Sequence, residues 1–163
     1  MHEAPNALFP GSFDPPTLGH LDLIQRGVNL FGSLWVGVAS NPHKEGLFTV
    51  EERISMIKEM TSDLAVEVSA IDGLVARAAH ERGVTTLLRG IRSSADLDLE
   101  YPMAMTNRQL CDDLETVCLL TRASFSTLSS RLLREVYAAG GELPRFLTSS
   151  VHQALCKKYS NHE

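Results

Sequence analysis

The chain has few cysteines, no excess of positive charge and no long apolar run, and each shortage narrows its chemistry. Its three cysteines, Cys111, Cys118 and Cys156, form no C-x-x-C pair and are odd in number, which excludes a disulfide scaffold and fits a reduced cytoplasmic compartment. Cys118 lies in an apolar run and is expected to pack as a small hydrophobe. Fifteen lysines and arginines against twenty acidic residues give a net charge of -5, so no overall field draws the chain to nucleic acid or an anionic membrane. No apolar stretch reaches the ~18 residues of a membrane helix. A start with Glu3, Pro5 and Pro10 does not read as a signal peptide. No cluster of His, Cys and Asp has metal-ligand spacing, so no fixed metal site is expected, and His2, His80, His152 and His162 receive no role. The G-x-G-x-x-G of nicotinamide-type folds and the G-x-x-x-x-G-K-[ST] of P-loop kinases are both missing. Ser12 lies in no G-x-S-x-G elbow, which removes a serine-hydrolase reading.

What is present is an ordinary globular composition, 44% hydrophobic and 21% charged over 163 residues, and the expectation is one domain spanning 1–163. Strand-like runs recur at Ala7–Pro10, Leu34–Ala39, Ala65–Ser69, Thr85–Arg89 and Thr116–Thr121. Helical spacing fills the gaps. Leu21, Ile24, Val28 and Phe31 form one stripe, and Thr49 and Glu52 form a capping box that opens a second helix. Leu74–Arg82 stops at Gly83, Ser94–Leu110 is longer, Ser129–Ala139 ends at Gly140-Gly141, and Ser150–Tyr159 closes the chain. Five strands alternating with helices predict an α/β fold with a Rossmann-like, doubly wound, five-stranded parallel sheet.

The most informative segment is Gly11-Ser12-Phe13-Asp14-Pro15-Pro16-Thr17-Leu18-Gly19-His20. Gly11 allows close approach of the main chain to an anion. The proline pair is expected to start a helix whose first-turn N–H groups and positive dipole end face the loop. His20 then stands where an imidazole touches a phosphate.

Ligands of open parallel sheets bind beyond the carboxyl ends of the strands. There the sequence places Ser12 and His20 after strand one, Lys44 after strand two, Arg89-Gly90-Ile91-Arg92 after strand four, and Phe125 to Ser130 after strand five. Glu100 is read as the nearest acid. A histidine on an amphipathic helix is ordinarily structural, a loop lysine solvated, and a serine pair a helix cap. An arginine closing an apolar strand needs an anionic partner. Their convergence on one rim describes a site for a highly charged phosphate compound.

The segments Pro10–Pro15, Thr17-Leu18-Gly19-His20, Phe48-Thr49-Val50-Glu51-Glu52-Arg53, Leu88-Arg89-Gly90-Ile91-Arg92, Ser129-Ser130 and Val151–Leu155 together resemble the bacterial phosphopantetheine adenylyltransferases over nearly the whole chain. The resemblance implies transfer of AMP from ATP to 4'-phosphopantetheine, Mg²⁺ brought in with ATP, and a homohexamer. It implies catalytic roles for His20, Lys44 and Arg92, and phosphopantetheine contacts from Ser12, Lys44, Val75 and Arg89. ATP would meet Ser12, Phe13, His20, Gly90, Ile91, Arg92, Glu100, Phe125, Ser126, Thr127, Leu128, Ser129, Ser130 and Arg131. Two positions depart from the family pattern. Leu99 replaces a tyrosine, and Arg131 replaces a hydroxyl, either adding charge near the ATP phosphates or pointing to solvent. The rival readings are a nucleotidylyltransferase acting on nicotinamide mononucleotide or a polyol phosphate, and a non-catalytic adenine-nucleotide-binding module.

Overall fold

A computed structural model describes residues 5–40 and 46–160. Its strands are β1 (Ala7–Gly11), β2 (Leu34–Ser40), β3 (Val66–Asp72), β4 (Thr86–Ile91) and β5 (Glu115–Leu120). They form one parallel sheet in the order β3-β2-β1-β4-β5. The helices are α1 (Leu18–Phe31), α2 (Val50–Met60), α3 (Val75–Glu81), α4 (Ser94–Leu110), α5 (Ser130–Ala138) and α6 (Ser149–Ser160). The sheet is Rossmann-like and covered on both faces, as the alternation of strand and helix patterns requires.

Along the central strands successive side chains alternate between two buried faces. Ala7 and Phe9 of β1 join Val36, Val38 and Leu88 against Ile24 of α1 and Ile57 of α2. Leu8 points the other way, with Trp35, Ile71 and Leu87, onto Ala76 and Ala79 of α3. A third cluster (Phe48, Leu133, Tyr137, Phe146, Val151, Leu155) fastens α5 and α6 beyond the sheet.

The structure corrects several boundaries that bear on function. The proline pair does not begin α1, because Thr17 is its N-cap, accepting the His20 N–H at 3.3 Å, while the His20 imidazole accepts the Thr17 N–H at 3.0 Å. That reciprocal pair is a capping box with histidine in the place of the usual glutamate. Strand β4 runs on through Ile91, so Arg89, Gly90 and Ile91 lie inside the strand rather than beyond its end. Cys118 is exposed instead of packed, because β5 lies at the edge of the sheet and among the described residues pairs with β4 alone. The capping box of α2 forms as expected, with Thr49 and Glu52 exchanging hydrogen bonds of 2.8 and 3.2 Å.

Candidate active site

Sheet order reverses between β1 and β4, where α1 follows one strand and α4 the other. A crevice opens at such a switch point because the two crossovers leave in opposite directions. A cavity of about 410 Å³ occupies it, walled by Ser12, Phe13, His20, Arg89, Gly90 and Arg92, with Phe125, Leu128, Ser129, Ser130 and Arg131 opposite. A second, smaller cavity of about 150 Å³ adjoins it and holds Val75, Met103, Asn107 and Thr116. Ser12, Arg89 and Glu100 line both cavities.

His20 sits in the first turn of α1, where its side chain faces the cavity. Burial, then the Arg92 and Arg89 charges, hold its pKa down to about 4. The ring is therefore neutral at pH 7. Because Nδ1 accepts the Thr17 N–H, the remaining proton is assigned to Nε2, and no described residue hydrogen-bonds that nitrogen. A neutral imidazole thus presents one N–H donor to the cavity. The folded pKa lies below the ordinary value of 6.5, so protonation favours the unfolded chain. Stability carried by neutral His20 is complete above pH 6.5 and is lost as pH falls through that value towards 4. In an NMR titration, the His20 ring resonances should stay unmoved from pH 8 to about 5.5. A midpoint near 6.5 would refute the neutral ring.

The arginines are held inside the protein. Arg89 grips both oxygens of Glu100, at 2.7 and 2.6 Å, and donates to the Pro10 carbonyl at 2.6 Å. The anionic partner that its position demands is therefore on the chain itself, and both Glu100 oxygens are engaged by the guanidinium. Arg92 pairs with Asp96 (3.0 and 3.1 Å) and donates to the Leu128 carbonyl at 3.0 Å. Asp96 also accepts the Arg92 main-chain N–H, which corrects the reading of Glu100 as the nearest acid. Burial opposes the Asp96 charge, but the Arg92 hydrogen bonds outweigh it and keep the carboxyl below its usual range. The pairs pre-set each guanidinium before any ligand arrives.

Two helix N-termini converge on the larger cavity. Ser129 caps α5 by accepting the Leu132 N–H at 3.1 Å, and Ser130 donates to the Pro15 carbonyl at 2.7 Å, tying α5 to the first loop. Their positive ends add to the arginines. Ile91, Ser126 and Thr127 are not on the wall: Ile91 is buried in the sheet, Ser126 hydroxyl bonds the Ala123 carbonyl, and Thr127 is exposed. Arg131 pairs with Glu135 at 2.9 Å on the exposed rim. Lys44 lies outside the described residues. The freedom of Gly11 serves packing as well as any ligand, because a Cβ there would stand 2.9 Å from the Phe13 ring. At Gly90 a Cβ would meet Leu23 of α1 at 2.4 Å.

Sequence reading missed the braces behind these groups. Asp14 is buried and accepts the main-chain N–H groups of Leu47 (2.8 Å) and Phe48 (2.9 Å) and the Arg134 guanidinium (2.7 Å). Arg53 of α2, also buried, reaches the Ser12 carbonyl at 2.6 Å. Thr116 presents a buried hydroxyl with no hydrogen-bond partner among the described residues, on the wall of the smaller cavity. For Asp14, the available signal was an acid between an aromatic and a proline in a tight loop, a place where carboxylates commonly bind main-chain N–H groups.

A cleft at the switch point of this sheet, floored by a T-x-G-H helix start and flanked by two braced arginines, defines the nucleotidylyltransferase class, and the family model described as Cytidylyltransferase-like matches residues 8–136. Within that class the relatives are specific. The chain belongs to the phosphopantetheine adenylyltransferase family: it is 43% identical over 155 residues to the member from Synechococcus elongatus, covering 94% of this chain and 93% of the relative. The member from Limosilactobacillus reuteri is 45% identical over 158 residues, covering 96% and 91%. Among solved structures, a bifunctional NMN adenylyltransferase/ADP ribose pyrophosphatase from Francisella tularensis shares the fold with a TM-score of 0.69 at 13% identity, over 95% of this chain and 50% of that one. A lipopolysaccharide core biosynthesis protein from Thermoplasma volcanium gives 0.51 at 21% identity, over 71% and 94%.

Proposed function

We propose that the chain transfers AMP from ATP to 4'-phosphopantetheine, forming dephospho-CoA and releasing pyrophosphate, the penultimate step of coenzyme A synthesis. Beyond family membership, one observation supports it most directly: two cavities of unequal size meet at Ser12 and Arg89. The larger suits a nucleotide triphosphate and the smaller a narrow arm, whose amides would find the unpartnered Thr116 hydroxyl and Asn107. The acceptor's phosphate then lies at the shared wall.

A phosphate oxygen of phosphopantetheine attacks the α-phosphorus of ATP in line, the bond to the β-phosphate oxygen breaks, and pyrophosphate leaves with that electron pair. No general base is needed because the attacking oxygen is already ionised. The protein's task is to align two anions and quench their charge. Arg89 holds the acceptor phosphate. Lys44 joins it on the strength of the family resemblance. Arg92 and the N-terminus of α5 hold the β- and γ-phosphates. The Nε2–H of His20 and the first-turn N–H groups of α1 meet charge growing on the α-phosphate oxygens. Mg²⁺ would come with ATP and would be held by its phosphates, since among the described residues the carboxylates on the cavity wall, Asp96 and Glu100, are both committed to arginines. Its chemistry is neutralisation of the triphosphate.

We also propose the homohexamer and a cytoplasmic location. Helix α4 buries no residue in the monomer, and Leu99 (71% exposed), Tyr101 (64%) and Leu120 of β5 (73%) stand out as large apolar groups that a second copy would cover. Among the described residues no helix is long and apolar enough to cross a membrane. Sedimentation should give six times the chain mass, and a monomer would refute the assembly.

Pyrophosphate release, assayed with ATP and each acceptor in turn, tests the reaction. Phosphopantetheine should support turnover at least about 10³-fold above nicotinamide mononucleotide or glycerol phosphate, because a site built for one acceptor leaves polar groups unpaired with another. ATP binding without release for any acceptor would leave only a nucleotide-binding module.

A further inference from the structure

Arg53, near the start of α2, lines neither cavity, and no step of the adenylyl transfer touches it. It is nevertheless 7% exposed, and every hydrogen bond its side chain makes among the described residues goes to a main-chain carbonyl. Nη1 donates to Ser12 at 2.6 Å and to Ala39, near the end of β2, at 3.3 Å, while Nε donates to Thr49 at 3.2 Å. Arg89, Arg92 and Arg134, by contrast, each face a carboxylate. A buried cation with no acid among its described partners is costly, so its place needs a reason. We propose that Arg53 is a positioning residue for the transfer: it holds the Ser12–Phe13 peptide with its N–H turned into the nucleotide cavity, as a donor to the α-phosphate oxygens.

Three observations carry this. The carbonyl and the N–H of a planar trans peptide point in opposite directions. With the Ser12 carbonyl drawn towards α2, the Phe13 N–H faces the other way, where Ser12 and Phe13 wall the cavity, and it donates to no described group. Secondly, Phe13 has a φ of 49°, in the left-handed region that side chains seldom occupy. A half-turn of the Ser12–Phe13 peptide would carry that φ to about −130°, an ordinary extended value. The same half-turn would aim a carbonyl oxygen at the phosphates. The observed orientation is therefore strained, and it has to be held against a relaxed alternative that repels the substrate. Finally, ring packing cannot do the holding. The Phe13 ring is 1% exposed and stands edge-on to Phe9 and His20, with centroids 5.4 and 5.0 Å away. A peptide half-turn leaves that ring in place, so the ring fixes where Phe13 sits and the guanidinium fixes which way its N–H points.

The kinetic consequence rests on the adenylyl-transfer reading, whereas the geometric one needs only a bound nucleotide. In ¹⁵N-resolved NMR of the full chain, the Phe13 amide proton should move downfield when α,β-methylene-ATP, a non-reacting analogue, binds the parent. In Arg53→Met it should stay where it is. In the pyrophosphate-release assay, Arg53→Met should lower kcat about 10²-fold, the order expected for one lost transition-state donor, with the KM of each substrate within a few-fold. Arg53→Lys keeps the charge and one donor for the Ser12 carbonyl, so it should recover about tenfold of that loss. Thr61→Val is the control for general damage to α2. It removes, at the far end of the helix, a buried hydroxyl that donates to the Ile57 carbonyl at 2.7 Å, and it should lower the Tm while leaving kcat unchanged. If Arg53→Met does not fold, the amide of the parent and the rate of Arg53→Lys still decide. A parent Phe13 amide that ignores the bound analogue, or a folded Arg53→Met or Arg53→Lys with the parental kcat, would overturn the assignment. An equal fall in kcat for Thr61→Val would reduce Arg53 to a structural role. A parent that binds the analogue but releases no pyrophosphate would refute the adenylyl transfer, and the amide shift would then judge Arg53 alone.

Discussion

Replacing His20 by alanine should lower kcat by about 10²–10³-fold and leave the KM for ATP within a few-fold. The argument rests on protonation. With its pKa near 4, the imidazole carries no charge into the ground state, so it contributes little to holding a polyanion. Its Nε2–H gains strength only as charge builds on the α-phosphate oxygens, so its loss falls on the rate. Alanine also removes the acceptor for the Thr17 N–H, at a stability cost of about 1 kcal/mol. His20→Asn separates the two effects. Its side-chain oxygen can take over the Thr17 hydrogen bond, but it offers nothing at the Nε2 position, so it should regain stability and remain as slow as the alanine variant. An equal loss in ATP affinity and in rate would make His20 a ground-state ligand.

The second large effect should come from Asp14→Asn, which touches no substrate in the proposed mechanism. Asp14 is 3% exposed, and its two oxygens serve two main-chain N–H groups and one guanidinium. An amide of the same shape turns an NH₂ towards one of these donors and leaves Arg134 without a counter-charge. Breaking a buried pair in this way costs about 3–5 kcal/mol. For a chain of this size that is a fall in Tm of roughly 10 °C. The loop from Gly11 to Thr17, the segment entering α2 and helix α5 all meet at this carboxylate, so activity at 25 °C should fall even where the chain stays folded. Arg134→Met should be milder, since Asp14 keeps its two main-chain donors. Thermal unfolding of both variants decides the matter, and a Tm within 2 °C of the parent for Asp14→Asn would show that the brace carries no stability.

Local chemistry was the legible part. Thr49 and Glu52 stand three residues apart, and a helix start brings such neighbours together whatever the rest of the fold does, whereas the same spacing of Thr17 and His20 was masked by the proline pair before it. The unbroken apolar runs of β1 and β2 marked both strands, because a central strand buries both faces. The site was legible as a set of ligand-bearing loops and much less so as a constellation. Arg89 was expected to await a phosphate, yet it folds onto Glu100. Arg92 leans on Asp96, four residues on, from just before the N-cap of α4 onto its first turn. Ile91 entered the candidate site through its motif, and its side chain is buried in the sheet because β4 continues one turn of the pleat further than its composition suggested.

By itself the amino-acid sequence determined the α/β class, the capped start of α2 and the identity of the charged groups at the rim, since these depend on periodicity and on neighbours a few residues apart. Only the tertiary structure decided which charges neutralise each other, that Asp14 meets Arg134 across 120 positions, and that Arg53 turns onto the Ser12 carbonyl. Contacts of that kind depend on how separate elements pack, and packing is set by the summed burial of the whole core, which no short stretch of residues contains.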